Sequence, residues 1–214
     1  EMAGKPTGEL NMVFFVTGSW PVRGDKTWLV DDLRRAHDMG WKNFDVLDLA
    51  VMADWPRTHW MPALENADVV MFCGGHAHYL SYWLEKTGLL TELPQLLKDK
   101  VYVGISAGSM VASESLATSS LKLREHAGMG TDERKEPPPG QLGDKTMRLA
   151  DVLFRPHFNS SSFPLVRKDF MQQFANDVKK SVYLVDDETA LRIEDGAVTV
   201  VSEGEWHLLH PTQS

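Results

Sequence analysis

The sequence predicts an α/β protein: a mainly parallel sheet with helices on both faces, closed at the C-terminus by antiparallel hairpins. Three observations carry this expectation. Apolar runs such as "MVFFV" (12–16), "VVMFC" (69–73) and "VYVGI" (101–105) lack polar alternation, as strands buried on both faces do. Stretches with apolar residues at helical spacing separate these runs, which is the rhythm of parallel βαβ units. Beyond residue 188 the pattern changes to short strands punctuated by Asp195-Gly196 and Glu203-Gly204, both turn signals.

Taken in order, Glu1 to Glu9 is a loose polar start, and Met12 to Val16 is a strand running into Thr-Gly-Ser. Asp25 to Met39 places Trp28, Leu29, Leu33 and Ala36 at helical spacing, and Gly40 supplies the stop. Phe44 to Leu49 alternates as a strand, whereas Asp54 to Asn66, with two prolines and two tryptophans, is ambiguous. Asp68 to Cys73 is a strand ending at Gly74-Gly75. His76 to Lys86 and Leu89 to Lys98 read as helices, and Lys100 to Ile105 is the next strand. Thr131 to Lys145, "TDERKEPPPGQLGDK", is too polar and proline-broken to enter a core; it is either a surface loop or a lid. Val152 to Phe154 is a strand leading into "RPHFNSSSF", Pro164 to Val178 a helix, and Val182 to Val185 a strand.

The 214 residues are expected to form a single domain over 1–214. A chain of this size buries about 70% of its unfolded surface and needs no disulfide or metal to fold. Its 22 Lys and Arg against 30 Asp and Glu give a net charge of −8, which argues against nucleic acid or an anionic membrane as main partner. Cys73 is the single cysteine, so a reducing cytoplasm is the expected location. No apolar run approaches the ~20 residues of a membrane span, and no signal-peptide pattern opens the chain.

The chemistry gathers at "VYVGISAGSMVA". Ser106 stands between Gly104 and Gly108 where a strand gives way to a helix, the setting of a nucleophile elbow. A sharp turn of this kind has no room for side chains two residues before and after the serine. A glycine-rich βα loop that packs tightly, or that cradles a phosphate, uses the same residues. Ligands of parallel sheets gather beyond the carboxyl ends of the strands, and both Ser106 and Gly74-Gly75 lie there. A serine nucleophile needs a base, and the base an acid that fixes its tautomer. Of eight histidines, His157 follows a strand end and a proline, on a loop that overlooks the same sheet edge. The next strand end offers Asp186, Asp187 and Glu188, of which one can face His157. Oxyanion donors are expected at the Ala107 amide and at the Gly74-Gly75 turn.

These stretches resemble the peptidase E (aspartyl dipeptidase) family of serine peptidases, related to cyanophycinase, with a class I glutamine amidotransferase-like fold. The matching pieces are "VVMFCGGHAHYL", "VYVGISAGSMVA", "RPHFN" and "LVDDETAL", in the family order. The resemblance implies Ser106 as nucleophile, His157 as general base, and Gly75 and Ala107 as oxyanion donors. Alignment on Thr-Ala-Leu gives Asp187 the third role, where the family usually has Glu; Glu188 is the alternative acid. His76 stands where the family commonly has Asn. The implied activity is hydrolysis of short peptides, dipeptidase-like and with an N-terminal Asp among the expected substrates, by a monomer or homodimer without cofactor.

Other readings remain beside this one. Cys73, His76 and His78 suggest a soft metal site, but His76 and His78 are two apart and do not share a helical face; either is expected to line the pocket instead. The amidotransferase relatives use a cysteine and a later His-x-Glu pair, which this chain lacks. An esterase with the same triad and a non-catalytic binding module stay open. An acidic substrate needs a cation, for which Arg155 and Arg167 are candidates and Arg124 a third; each reads more readily as a solvated surface charge or ion pair. Tryptophans 20, 55, 60 and 83 either wall an apolar pocket or pack in the core.

Overall fold

The computed structural model describes residues 3–132 and 136–212. Its first half is built on β1 (Asn11–Phe15), whose Met12 and Phe14 face one side and Val13 and Phe15 the other; all four are buried. β1 pairs in parallel with β2 (Asn43–Leu47) and β3 (Val69–Phe72), and β3 with β4 (Val101–Gly104). The order is β2-β1-β3-β4. Both faces are covered, which is why β1 and β3 carry no polar alternation. Helix α1 (Thr27–Asp38) packs Leu29 and Ala36 on one face. The other face takes α2 (Leu49–Met52), α3 (Arg57–Asn66), α4 (Ala77–Lys86), α5 (Leu89–Leu96) and α6 (Ala107–Ala112). The ambiguous segment is thus α3, which buries Trp60 and Leu64, one turn apart, despite Pro62 within it.

The register sets Phe15 beside Phe72 and Phe72 beside Gly104. The loops that leave β1, β3 and β4 therefore emerge side by side at one edge, where chemistry in such sheets collects.

After α7 (Ser120–His126) the chain makes β5 (Leu153–Arg155), α8 (Lys168–Val178) and β6 (Val182–Val185), with β5 and β6 parallel. The parallel strands fall into two sheets rather than one. The edge of β5 is taken by the segment before α7: Glu114 N–H donates to the Val152 carbonyl and the Thr118 hydroxyl to the Phe154 carbonyl, at 3.0 and 2.7 Å. Helix α8 starts at Lys168, four residues after the expected Pro164, because residues 160–166 fold back as a loop. Val166 N–H bonds the Phe163 carbonyl there.

At the C-terminus β7 (Thr189–Glu194) and β8 (Ala197–Ser202) form the expected hairpin, with Asp195 and Gly196 both at positive φ (51° and 79°) as a two-residue turn needs. The last strand, β9 (Trp206–Leu209), does not continue that hairpin; it pairs antiparallel with β6. The reason is burial. β8 is largely exposed, while beside β6 Leu209 joins the core under α8.

Candidate active site

The turn between β4 and α6 is tight enough to dictate its residues. A Cβ on Gly104 would lie 2.5 Å from the Ser109 nitrogen, and one on Gly108 2.3 Å from the Phe72 carbonyl oxygen. Both neighbours are backbone and cannot yield. Ser106, between them, is held at φ 49° and ψ −105°, a conformation that costs a non-glycine residue about 1–3 kcal/mol. Gly108→Ala is therefore expected to destabilise the fold by about 3 kcal/mol, read as a lowered thermal midpoint; an unchanged midpoint would contradict the close packing.

His157 also sits at positive φ, 68°. β5 and β6 run in register, and Phe158 N–H bonds the Val185 carbonyl at 2.9 Å, which sets the loop after β5 against the loop after β6. The His157 Nε2 lies 2.7 Å from Ser106 Oγ, and Nδ1 lies 2.6 Å from Asp187 Oδ1. A carboxylate only accepts, so Nδ1 carries the proton and Nε2 is left to accept from the serine hydroxyl. The hydrogen bond from His157, and then the attraction of its ring, hold the Asp187 carboxyl below the usual carboxylate range. The imidazole stacks flat on Phe163, with centroids 4.3 Å apart and planes 4° from parallel.

The three acids after β6 are sorted by the backbone. Asp186 turns inward to the chain: its carboxylate accepts from the Glu188 and Glu205 amides and from the Thr189 hydroxyl. Asp187 faces His157. Glu188 is engaged through its backbone: its amide donates to the Asp186 carboxylate and its carbonyl accepts from Glu203 N–H.

Across the edge, Gly74 and Gly75 stand beside the serine; a Cβ on Gly74 would lie 3.3 Å from Ser106 Cβ. Gly75 has φ 127°, and a Cβ there would lie 1.9 Å from the Gly18 carbonyl oxygen, so only glycine fits. Neither the Gly75 nor the Ala107 amide donates a hydrogen bond to another group of the described chain.

A cavity of about 420 Å³ opens in front of Ser106 and His157. Its apolar wall includes Met110, Leu121, Leu142, Phe163, Leu165 and Val166. None of the four tryptophans lines it: Trp60 and Trp83 pack with the core, and Trp20 and Trp55 are exposed. Thr131, Asp132, Glu136 and Leu142 of the proline-rich segment do line it; Glu133 to Lys135 lie outside the described residues.

The far limb of that segment is docked rather than free. Gly143 N–H bonds the His78 carbonyl at 2.8 Å, and the Ser81 hydroxyl bonds the Lys145 carbonyl at 2.7 Å. His78, expected to line the pocket, does so and also clamps this limb. Its ring nitrogens lie 2.8 Å from the Gly143 carbonyl and 2.8 Å from Ser119 Oγ. His76 lines the cavity and caps α4, accepting from Tyr79 N–H at 3.1 Å. With the buried Cys73 thiol donating to the Gly74 carbonyl at 3.0 Å, these three side chains each have a partner of their own.

Burial holds the His78 pKa below 6.5, against the opposing pull of Asp144 and alongside Lys122. A depressed folded-state value means the clamp's contribution is complete above 6.5 and is lost as pH falls toward the lowered value. Protection of the Gly143 amide against exchange should therefore be constant above pH 6.5 and fall as the solution is made more acidic. A His78→Gln variant, which takes up no proton there, should show constant protection.

The arginines separate. Arg124 lines the cavity and holds the Gly130 and Thr131 carbonyls, at 2.6 and 3.4 Å. Arg155 lines it and is buried, 2% exposed. Arg167, a candidate for the pocket, is instead turned onto the Ser160, Phe163 and Val166 carbonyls, at 3.1, 3.1 and 2.9 Å, and braces the loop behind His157. Phe163 was not legible as a site residue: nothing in "NSSSF" marks a ring that will back an imidazole six positions earlier.

A serine, an imidazole and a carboxylate in one hydrogen-bonded line, on an elbow at the carboxyl edge of a parallel sheet, have the arrangement found in serine hydrolases. The chain belongs to peptidase family S51, whose sequence profile matches residues 12–201. Among solved structures it is similar to one described as a peptidase E protein from Listeria monocytogenes EGD-e, with TM-score 0.67 and 18% identity over 94% of this chain and 89% of that one. It is also similar to a peptidase from an acI-B1 Actinobacterium, with TM-score 0.62 and 17% identity over 96% and 80% of the two chains. At such identities these two define the shared fold. No curated protein matches the chain significantly. No helix among the described residues is long and apolar enough to cross a membrane.

Proposed function

We propose that the protein is a serine peptidase of short peptides, working through an acyl-enzyme on Ser106. The observation that carries this reading is the unbroken line Ser106–His157–Asp187, at 2.7 and 2.6 Å. Ser106 Oγ attacks the scissile carbonyl as His157 Nε2 takes its proton, and Asp187 offsets the charge that forms on the ring. The oxyanion is met by the Gly75 and Ala107 amides. His157 then returns the proton to the leaving amine, and a water activated by the same imidazole releases the acyl group. The family resemblance extends the proposal to dipeptides, with an N-terminal Asp among the preferred residues.

Length restriction follows from the cover over the cavity. Thr131, Asp132, Glu136, Pro137, Pro139 and Leu142 wall one side, held by Arg124 at one end and by the His78 clamp at the other. Dipeptides and tripeptides are expected to be cleaved, and a denatured protein is not. A panel of dipeptides set against p-nitrophenyl esters tests the class: turnover of esters alone would assign an esterase, and turnover of neither a binding module. Replacing residues 131–142 by a Gly-Ser linker should raise KM for dipeptides about tenfold and admit longer chains. Wild-type kinetics in that variant would reduce the segment to a surface loop.

A further inference from the structure

His157 meets its aromatic neighbour differently from the other histidines. His37 on Phe44, His59 on Trp55, His126 on Phe174 and His207 on Phe158 are edge contacts, with ring planes 89°, 78°, 81° and 81° apart. The His157 imidazole instead lies face to face with Phe163, with planes 4° from parallel and centroids 4.3 Å apart. At that separation the two faces are in van der Waals contact.

A flat contact controls one degree of freedom that matters at a general base. The hydrogen bonds of His157 to Ser106 and Asp187 both lie along its ring plane, so both depend on rotation about Cβ–Cγ. That torsion is broad in histidine and offers no sharp minimum of its own. Turning the ring lifts Nε2 away from the serine and Nδ1 away from the acid together. In a triad the acid normally holds the ring, but the Asp187 carboxylate is mostly in water, which competes for it. The face of Phe163 blocks the rotation that water leaves open.

Phe163 is itself fixed by the loop it shares with the base. Ser160 N–H donates to the His157 carbonyl at 3.2 Å, Phe163 N–H to the Ser160 carbonyl at 3.2 Å, and Val166 N–H to the Phe163 carbonyl at 3.0 Å. Arg167 Nη1 adds a second bond to that carbonyl at 3.1 Å, and the Arg155 guanidinium carbon lies 5.2 Å over the ring. Base and backing ring are thus carried on one closed turn of chain.

We infer that Phe163 is a positioning residue for the general base, setting the plane of the His157 imidazole so that it reaches Ser106 and Asp187 at once. The kinetic part of this inference rests on the peptidase reading of the site. Phe163 also lines the cavity, so the test must separate positioning of the base from contact with substrate.

The experiment compares Phe163→Leu, which keeps apolar bulk without a flat face, with Phe163→Tyr, which keeps the face. Phe163→Leu should lower kcat for a dipeptide about 10- to 100-fold, the scale of a displaced catalytic group, with KM within about threefold of wild type. Phe163→Tyr should recover kcat to within about threefold. A rise in KM at wild-type kcat, or equal loss of kcat in the two variants, would overturn the inference. Proton NMR gives a readout free of turnover. The Nδ1–H of His157, bonded to Asp187 and identified by its loss in His157→Ala, should be resolved downfield in the wild type and in Phe163→Tyr. In Phe163→Leu it should be broadened by exchange with water; the same sharp signal there speaks against positioning. In the wild type the carbon-bound ring protons of His157 should also lie upfield, shifted by the ring current of the stacked phenyl. Ordinary positions for them overturn the inference even where Phe163→Leu fails to fold. A protein with these NMR signatures that is not labelled at Ser106 by a fluorophosphonate keeps the positioning role and loses the peptidase reading.

Discussion

Replacing Ser106 by alanine is expected to lower kcat/KM for a dipeptide by about 10⁴- to 10⁶-fold, with circular dichroism unchanged. Among the described residues the serine hydroxyl makes one side-chain hydrogen bond, to His157, so its removal takes the nucleophile without disturbing a packed core. The strained turn remains, because Gly104 and Gly108 hold it and alanine accepts the same neighbours. Hydrolysis within tenfold of wild type would move the nucleophile elsewhere.

The second large effect concerns the base and its acid. His157→Ala should be nearly as damaging as loss of the serine, since members of a triad act as a unit. Asp187→Asn should cost about 10²- to 10⁴-fold. The lower part of that range reflects solvent, for the Asp187 side chain is 64% exposed and water screens its charge. Glu188→Gln should change turnover less than about threefold, because the two His157 ring nitrogens are taken by Asp187 and Ser106. A reversed ranking would place Glu188 behind the imidazole. Activity should fall with acid as well. The hydrogen bond from His157 holds the Asp187 carboxyl below its ordinary value of 3.8, so its contribution is complete above that value and is lost as pH drops through the lowered one.

Much of the scaffold could be read from residue pattern alone. β6 spans Val182–Val185, as its apolar run between Ser181 and Asp186 indicates. The elbow was legible because crowding there permits only small residues, and a steric demand of that kind leaves a mark in the sequence. Contacts between distant segments leave none. That β9 pairs with β6, that Thr118 rather than β4 serves the edge of β5, and that Phe163 stacks on His157 all depend on register and loop path. The choice among Asp186, Asp187 and Glu188 was open to composition, because three adjacent acids look alike; the hydrogen bonds that turn Asp186 into its own loop separate them. His78 illustrates the same limit. Its spacing from His76 spoke against a shared face, but only the fold brings the Gly143 carbonyl and Ser119 to its two nitrogens.

The most direct test of catalysis by Ser106 is to label the protein with a fluorophosphonate and locate the adduct by mass spectrometry of its peptides. Serines 109 and 113 lie within the same stretch of sequence, so fragmentation must assign the residue. An adduct on Ser106 alone, abolished in Ser106→Ala and strongly slowed in His157→Ala, is the expected result. An adduct on another residue, or none on a folded protein that still cleaves dipeptides, would contradict it.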